Sequence, residues 1–428
     1  MIPRIRFDIG WRDLLYGFRT AYSFRGDDRL TAQLKVEQLW SSEDDSLACL
    51  SLRSGFDTAL EAYSFPAGSE VLMSCMNIGP MADIVESHGL TPLPIDLDLD
   101  KLTMRPDLLE RAITPNTKAI VHAHLLGTRQ PLDELRRLAD KHGLVLFEDC
   151  AQAYRADDWR GDPRCDVTMF SFGPLKTCSA TMGGIVRYRD KDMLEKARSL
   201  QSQLPVQSRF EIIQRLLLFS ELIFVTQELP YSIIVGAARR LGLEEFVNAP
   251  LRNFRGSKAY QFKKLRKQPS RTLLSLLLHR LKTYDPSLVK QRLDAAEALL
   301  GEIPEVCRPG RAIADHGYWQ FPIYCDDPVG LRRHLHRQGF DSTLGHKAFV
   351  VIPPPADRLE FEATTATGTL PRSLYLPVHF RARKEDLVRL GEAIRSFDPE
   401  CTNDRGVLND SCTVADRAGT LETTAAAT

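Results

Sequence analysis

Lys176 and Asp149 are the two residues whose types and places could together do chemistry. Asp149 closes the apolar run LVLFED (144–149), and Lys176 comes five residues after Ser171, just past the apolar run VTMFSF (167–172). Each run reads as a strand of a parallel sheet, so the carboxylate emerges at the carboxyl edge, where open α/β folds bind ligands. A lysine leaving a strand end into a pocket has its pKa lowered by burial and can form a Schiff base with a carbonyl. Pyridoxal phosphate (PLP) asks for both groups: an amine for its aldehyde, and a carboxylate that keeps its ring nitrogen protonated so the ring can act as an electron sink. Taken singly, Asp149 reads equally well as a helix cap at a strand end, and Lys176 as a solvated surface residue.

The phosphate of such a cofactor needs donors without bulk. Ser54-Gly55-Phe56-Asp57 leads from a strand-like segment into the helix DTALEAY, where backbone N–H groups can face an anion along the favourable end of the helix dipole. Ser171 offers a hydroxyl on the same sheet edge. By themselves the Ser-Gly turn reads as a plain loop and Ser171 as a satisfied strand-end serine.

The elements that must position these residues follow from hydrophobic periodicity. EVLMS (70–74), TPLPID (91–96), KAIVHAH (118–124), LVLFED, VTMFSF and GGIVRY (183–188) read as strands. MADIVESHG, PDLLERAI and PLDELRRLADKHG between them are apolar at helical spacing, with proline opening and glycine closing where helix ends expect them. This alternation predicts an α/β fold, a mostly parallel sheet flanked by helices. The expected organisation is an N-terminal helical segment (1–45), a large domain (46–270) with a helical insertion at about 205–250, a smaller C-terminal α+β domain (271–398) and a disordered tail (399–428) poor in large apolar residues.

Composition removes other classes. Lysine plus arginine and aspartate plus glutamate both total 56, so no net field draws the chain to nucleic acid or an anionic membrane. Nine scattered cysteines without CxxC spacing fit a reduced, cytoplasmic compartment, and no histidine or cysteine spacing predicts a metal site. The N-terminal residues carry charges throughout and show no export signal. The apolar region Ile212–Ala238 is interrupted by Gln214, Arg215, Glu221, Gln227, Glu228 and Pro230; it reads as two helices broken near Pro230, packed in a core or subunit interface, with contact to a membrane surface as the alternative.

The ordered motifs SGxxxAL, GSEVLMS, TPLPIDLDLDKLTM, ITPNTKAIVHAHLLG, HGLVLFEDCAQA, SFxPxK and GGIV resemble the DegT/StrS family of sugar aminotransferases, closely over about residues 45–200 and loosely to about 395. The resemblance implies the PLP fold-type-I architecture, with Lys176 as the Schiff-base lysine and proton carrier, Asp149 at the pyridine nitrogen, Gln152 at the ring hydroxyl, and Ser171 with the Gly55-Phe56-Asp57 backbone at the phosphate. RNFR (252–255) is similar to the family's GxNxR element. It implies that Asn253 reaches the phosphate of a neighbouring subunit, hence a homodimer with shared sites, and it brings Arg255 toward the substrate. LPVH (376–379) resembles the family's LPxH, which sets His379 at the substrate pocket.

Departures accompany the resemblance. Ile78 stands where the family has a ring-stacking aromatic, Phe56 replaces a threonine, Met182 a glutamate, Leu126 a tyrosine and Leu251 a glycine. The function so implied is amino transfer, with glutamate as donor, to a nucleotide-linked keto sugar. Two alternatives stand beside it: a PLP enzyme for a hydrophobic or lipid-linked carbonyl compound, and a member that has lost catalysis and serves regulation.

Overall fold

Short apolar runs bounded by glycine, proline and aspartate assemble into one sheet. The computed structural model describes residues 1–23, 26–241, 258–303, 308–345 and 349–397; Asn253, Arg255 and the tail 399–428 lie outside them. The strands are β1 (Ser46–Cys49), β2 (Glu70–Ser74), β3 (Thr91–Ile95), β4 (Thr117–Ala123), β5 (Val145–Asp149), β6 (Val167–Ser171) and β7 (Gly184–Tyr188). Their order across the sheet is β1-β7-β6-β5-β4-β2-β3. Only β7 runs antiparallel to its neighbours among these seven. The strands are buried almost throughout, which is why they read as continuous apolar runs rather than alternations. β3, with Pro92 and Pro94, lies at the sheet edge, where a missing N–H can face away from the ladder.

Helices cover both faces. On one, α3 (Leu52–Tyr63), α4 (Gly79–Ser87) and α7 (Lys191–Ser202) bury Phe56, Leu60, Met81, Ile84 and Leu194 against Val71, Phe147 and Val186. Two glycines allow the close seating of α3 on β7: a Cβ at Gly55 would stand 2.3 Å from Val186 Cγ2, and one at Gly184 would stand 2.4 Å from the Leu52 nitrogen. The opposite face carries α5 (Pro106–Ala112) and α6 (Asp133–His142) over β2, β3 and β4. Beside them α1 (Trp11–Tyr22), α2 (Arg29–Trp40), α8 (Arg209–Val225) and α11 (Arg271–Thr283) pack over Phe170, Phe172 and Ile185.

α11 thus departs from the sequence expectation, which opened the second domain at residue 271. Its stripe Leu274, Leu276 and Leu277 fills the large-domain core alongside Val36, Trp40 and Leu216. The smaller α+β unit begins afterwards with α12 (Ser287–Leu300). It contains an antiparallel sheet of β8 (Phe321–Tyr324), β10 (Ser373–Leu376) and β9 (Thr343–Leu344) in that order, with α13 (Pro328–Arg337) and α14 (Lys384–Phe397). Its core centres on Phe321, Leu331, Leu335, Phe340, Leu374 and Leu390.

The apolar insertion forms α8 and α9 (Glu228–Arg240), bent by 83°. The break falls at Thr226–Gln227, before Pro230. That proline sits in the first turn of α9, where its missing N–H costs nothing. Among the described residues no single helix is long and apolar enough to cross a membrane; the bent pair passes that test only when both halves are taken together.

Candidate active site

The register of β5 and β6 pairs Asp149 with Met169, so Asp149 and Ser171 reach the same edge of the sheet two residues apart. Asp149 is 7% exposed, accepts the Ala151 N–H at 2.9 Å, and its carbonyl accepts from His124 N at 3.0 Å. Burial pushes its carboxyl pKa up, against the Ala151 N–H and the nearby Lys176 charge, which favour the anion. Lys176 is partly buried. Loss of solvation and the Arg53 charge bring its amine down to about 8, against the pull of Asp149. Its Nζ lies 3.9 Å from the centre of the Trp319 ring, and Trp319 Nε1 donates to the Leu175 carbonyl at 2.7 Å. The sequence had left the missing aromatic at Ile78 without a substitute; the structure brings a ring to the amine from the smaller unit instead. Ile78 itself is 40% exposed at the start of α4.

The loop after Lys176 is held from below. Cys178 N and Ser179 N donate to Asp8 at 2.7 and 3.1 Å, and Arg280 contacts the same carboxylate at 3.4 Å. Asp8 had no role in the sequence reading, because 170 residues separate it from its partner Cys178. A second brace lies behind Asp149. His124 Nε2 bonds Glu148 Oε1 at 2.9 Å, and Glu148 also accepts from Asp162 N and Thr168 Oγ1. Donor atoms of His124, Glu148 and Cys150 lie within 4.8 Å of one another, a grouping that strand pairing creates and linear spacing conceals. Burial raises the Cys150 thiol well above its usual range, which keeps it protonated and a poor metal ligand.

The residues expected to cradle the phosphate lie inside α3 rather than at its start. α3 begins at Leu52 behind the cap Ser51, and Gly55 N already donates to Ser51 O at 3.0 Å. Phe56 and Asp57 follow within the helix, so their N–H groups are committed to its ladder. Phe56 is fully buried, edge-on to Phe147 at 5.7 Å. Asp57 receives His88 Nε2 at 3.0 Å and Arg266 at 2.9–3.0 Å. Gly55, Phe56 and Asp57 are therefore packing and bracing residues. The first-turn N–H groups without an upstream helical carbonyl belong to Leu52 and Arg53.

Ser171 keeps a partly exposed hydroxyl, with a long contact of 3.4 Å from Gly173 N. Gln152 Oε1 accepts Leu126 N at 2.7 Å, which leaves its amide NH₂ as a donor. His379 departs from the expectation of a substrate contact: it is 6% exposed, Nε2 donates to Pro3 O at 3.1 Å and Nδ1 accepts Arg381 N at 3.2 Å. Both ring nitrogens are occupied, Nε2 in tying down the N-terminal segment and Nδ1 in a local turn, and burial lowers its pKa to about 4. Met182 packs among Leu50, Ile212 and Leu273, so the insertion helix covers the place where the family has a glutamate.

PLP presents a pyridine nitrogen, an aldehyde and a phosphate, and the residues present fit it. A buried carboxylate, an amine with a depressed pKa, and the N-terminus of α3 share one sheet edge.

Residues 40–211 match the DegT/DnrJ/EryC1/StrS aminotransferase family. The fold is shared with the sugar aminotransferase CalS13 of Micromonospora echinospora, with a TM-score of 0.64 at 18% identity over 92% of this chain and 100% of that one. It is shared too with the PLP form of the putative sugar aminotransferase Spr1654 of Streptococcus pneumoniae (TM-score 0.66, 16% identity, 92% and 98% covered). DesI, solved in the presence of its TDP-sugar product, gives a TM-score of 0.62 at 20% identity, with 92% of each chain covered. The matched span contains Asp149, Gln152, Ser171 and Lys176, and over it the chain is similar to the DegT/DnrJ/EryC1/StrS aminotransferase family.

Proposed function

We propose that this chain moves an amino group from glutamate to a keto sugar carried on a nucleotide. The observation that carries the reading is the pairing of buried Asp149 with Lys176, whose amine is brought to about 8, at one sheet edge. Bound PLP supplies the electron sink that makes a carbon–hydrogen bond beside nitrogen labile. Asp149 would keep the ring nitrogen protonated, the Gln152 amide would donate to the ring hydroxyl, and Ser171 Oγ would hold the phosphate. Lys176 Nζ, neutral in part near pH 7 to 8, would be the group that takes the proton from the donor carbon and returns one to the acceptor carbon. A pKa near neutrality suits an amine that must both accept and release a proton.

The nucleotide-sugar substrate is supported by the TDP-sugar product in the DesI structure and by the shared fold of the sugar aminotransferases CalS13 and Spr1654. The same reading makes the protein a cytoplasmic homodimer whose RNFR segment serves the neighbouring subunit. A hydrophobic carbonyl substrate is the second reading. It is favoured by Phe210, Leu217, Phe224, Leu229 and Ile233, exposed by 57–73% on α8 and α9.

The test is spectroscopic. Purified protein with PLP is expected to develop the visible absorption of a lysine-bound cofactor, absent in Lys176→Ala, and to lose it on addition of glutamate. Recovery of that band with TDP-linked keto sugars, but not with lipid-linked ones, selects the first substrate class. A wild-type protein that takes up no PLP overturns the proposal.

A further inference from the structure

The smaller unit reaches Lys176 through one strip of backbone just ahead of β8. Gly317 N donates to Gly127 O at 2.8 Å, Trp319 N to Leu126 O at 2.9 Å, and Arg129 N to Asp315 O at 3.0 Å. Two bare glycines permit this approach: a Cβ at Gly127 would stand 2.7 Å from the Trp319 nitrogen, and one at Gly317 would stand 2.7 Å from Gly127 O. From the strip the Trp319 side chain extends to the lysine loop, where Nε1 donates to Leu175 O at 2.7 Å and the ring centre lies 3.9 Å from Lys176 Nζ. Leu126 and Leu175, whose carbonyls take the two Trp319 N–H groups, both hold left-handed backbone, with φ of 58° and 63°. Bulky residues persist there only where their surroundings fix them, and such strain gathers at functional sites. Leu126 N in turn donates to Gln152, so two residues of the site hang on the same strip.

Among the described residues Lys176 Nζ has no ion pair and no hydrogen bond, and the face of the Trp319 ring is its contact. The negative face of an indole attracts an ammonium and has little hold on a neutral amine. Unlike a carboxylate it takes up no proton itself. Asp149, at the end of β5, also favours the charged amine, while Arg53 in α3 opposes it. The other charged groups around the lysine loop are committed elsewhere. Arg292 of α12 donates to Gly317 O at 2.9 Å and Thr177 Oγ1 at 3.2 Å, Asp8 accepts the N–H groups of Cys178 and Ser179, and Arg155 pairs with Asp315.

We propose that Trp319 is a positioning residue for amino transfer: its ring holds the ammonium form of Lys176, and so ties the proton on that amine to the docking of the smaller unit. The inference rests on the role given to Lys176 above. Burial and Arg53 drive the proton off this amine, whereas Asp149 and the ring retain it. An amine that must both accept and release a proton needs that balance. The ring supplies its share without a second carboxylate, which would compete with Asp149 for the same cations. Because Trp319 is anchored to Leu126 and Leu175 from the smaller unit, the balance holds only while that unit is seated.

Labelling of Lys176 by trace acetic anhydride across pH, in the full-length cofactor-free chain, reads the midpoint of this amine and separates a hold on the ammonium from mere covering by its sign. Trp319→Leu removes the ring face, and the midpoint is expected to move down by about 0.5 to 1 pH unit, the equivalent of an ordinary cation–π contact. A ring that only kept water out would give the opposite result, because water entering the variant favours the charged amine and raises the midpoint. Trp319→Phe, which keeps a ring and loses the N–H, is expected to move it less than half as far in the same direction. If the leucine variant folds poorly, wild-type protein grown on fluorinated tryptophans gives the same reading with the shape of the ring preserved: the midpoint is expected to fall as fluorines are added. A raised or unchanged midpoint in folded Trp319→Leu overturns the proposal, as does a midpoint indifferent to fluorination. Failure of the wild type to take up PLP is a different result: it removes the function proposed above and leaves the Lys176 midpoint readable.

Discussion

Competitive acetylation reads the protonation state of Lys176 directly, and it needs no cofactor. Burial and Arg53 bring this amine down to about 8, opposed by Asp149. An ordinary lysine near pKa 10.4 is neutral in roughly one molecule in 2,500 at pH 7, so a pKa of about 8 raises that fraction to roughly one in ten. The shift corresponds to roughly 3 kcal/mol of preference for the neutral amine. Trace acetic anhydride labelling from pH 6 to 11, with the Lys176 peptide quantified by mass spectrometry, is expected to rise tenfold per unit below pH 8 and level off above it. Lys290, whose side chain is 75% exposed, serves as the internal reference. Arg53→Gln is expected to move the midpoint up, and Asp149→Asn to move it down. Linkage adds a stability signature: a folded pKa below the unfolded one costs stability below about pH 8, and the cost vanishes as pH climbs toward 10.4. Lys176→Met is therefore expected to unfold at higher urea than wild type at pH 7, with the gap closing toward pH 10. A Lys176 profile that keeps rising to pH 10 in parallel with Lys290 would refute the reasoning.

Two further predictions concern the scaffold. Gly184→Ala places a Cβ 2.4 Å from the Leu52 nitrogen, so the start of α3 must shift; urea denaturation is expected to show a loss of about 1–3 kcal/mol, the usual cost of overpacking. Asp57→Asn weakens the contacts with His88 and Arg266 and is expected to cost on the order of 1–2 kcal/mol at pH 7, discounted because Arg266 is 43% exposed. Burial raises the Asp57 pKa, but the hydrogen bonds from His88 and Arg266 outweigh it, and the net shift is downward. The stabilisation is thus present above about pH 4 and lost as pH falls through the lower folded value, so the gap between wild type and variant should narrow as pH falls below 4. The Asp57 effect is expected in stability rather than in PLP affinity.

Much of the sheet was legible because its strands are short, apolar and separated by amphipathic helices. Asp149 and Ser171 were readable as edge residues, since strand ends in a parallel sheet share one side. Gly55, Phe56 and Asp57, expected at the start of a helix, lie inside α3. Ser54-Gly55 carries the composition of a phosphate turn, yet the capping hydrogen bonds of Ser51 start the helix earlier and assign Gly55 to contact with Val186. His379 was misread because its partner, the Pro3 carbonyl, lies 376 residues away.

What the sequence determines by itself is local: periodicity, strand ends, helix starts, and the chemical kinds of Asp149 and Lys176. Only the tertiary structure decides which charges act on that amine. Arg53 acts on it from the start of α3, and α3 lies on β7 through contacts whose free energy comes from burying side chains far apart in the chain. The same long-range packing places the Trp319 ring over Lys176 and the Asp8 carboxylate under its loop.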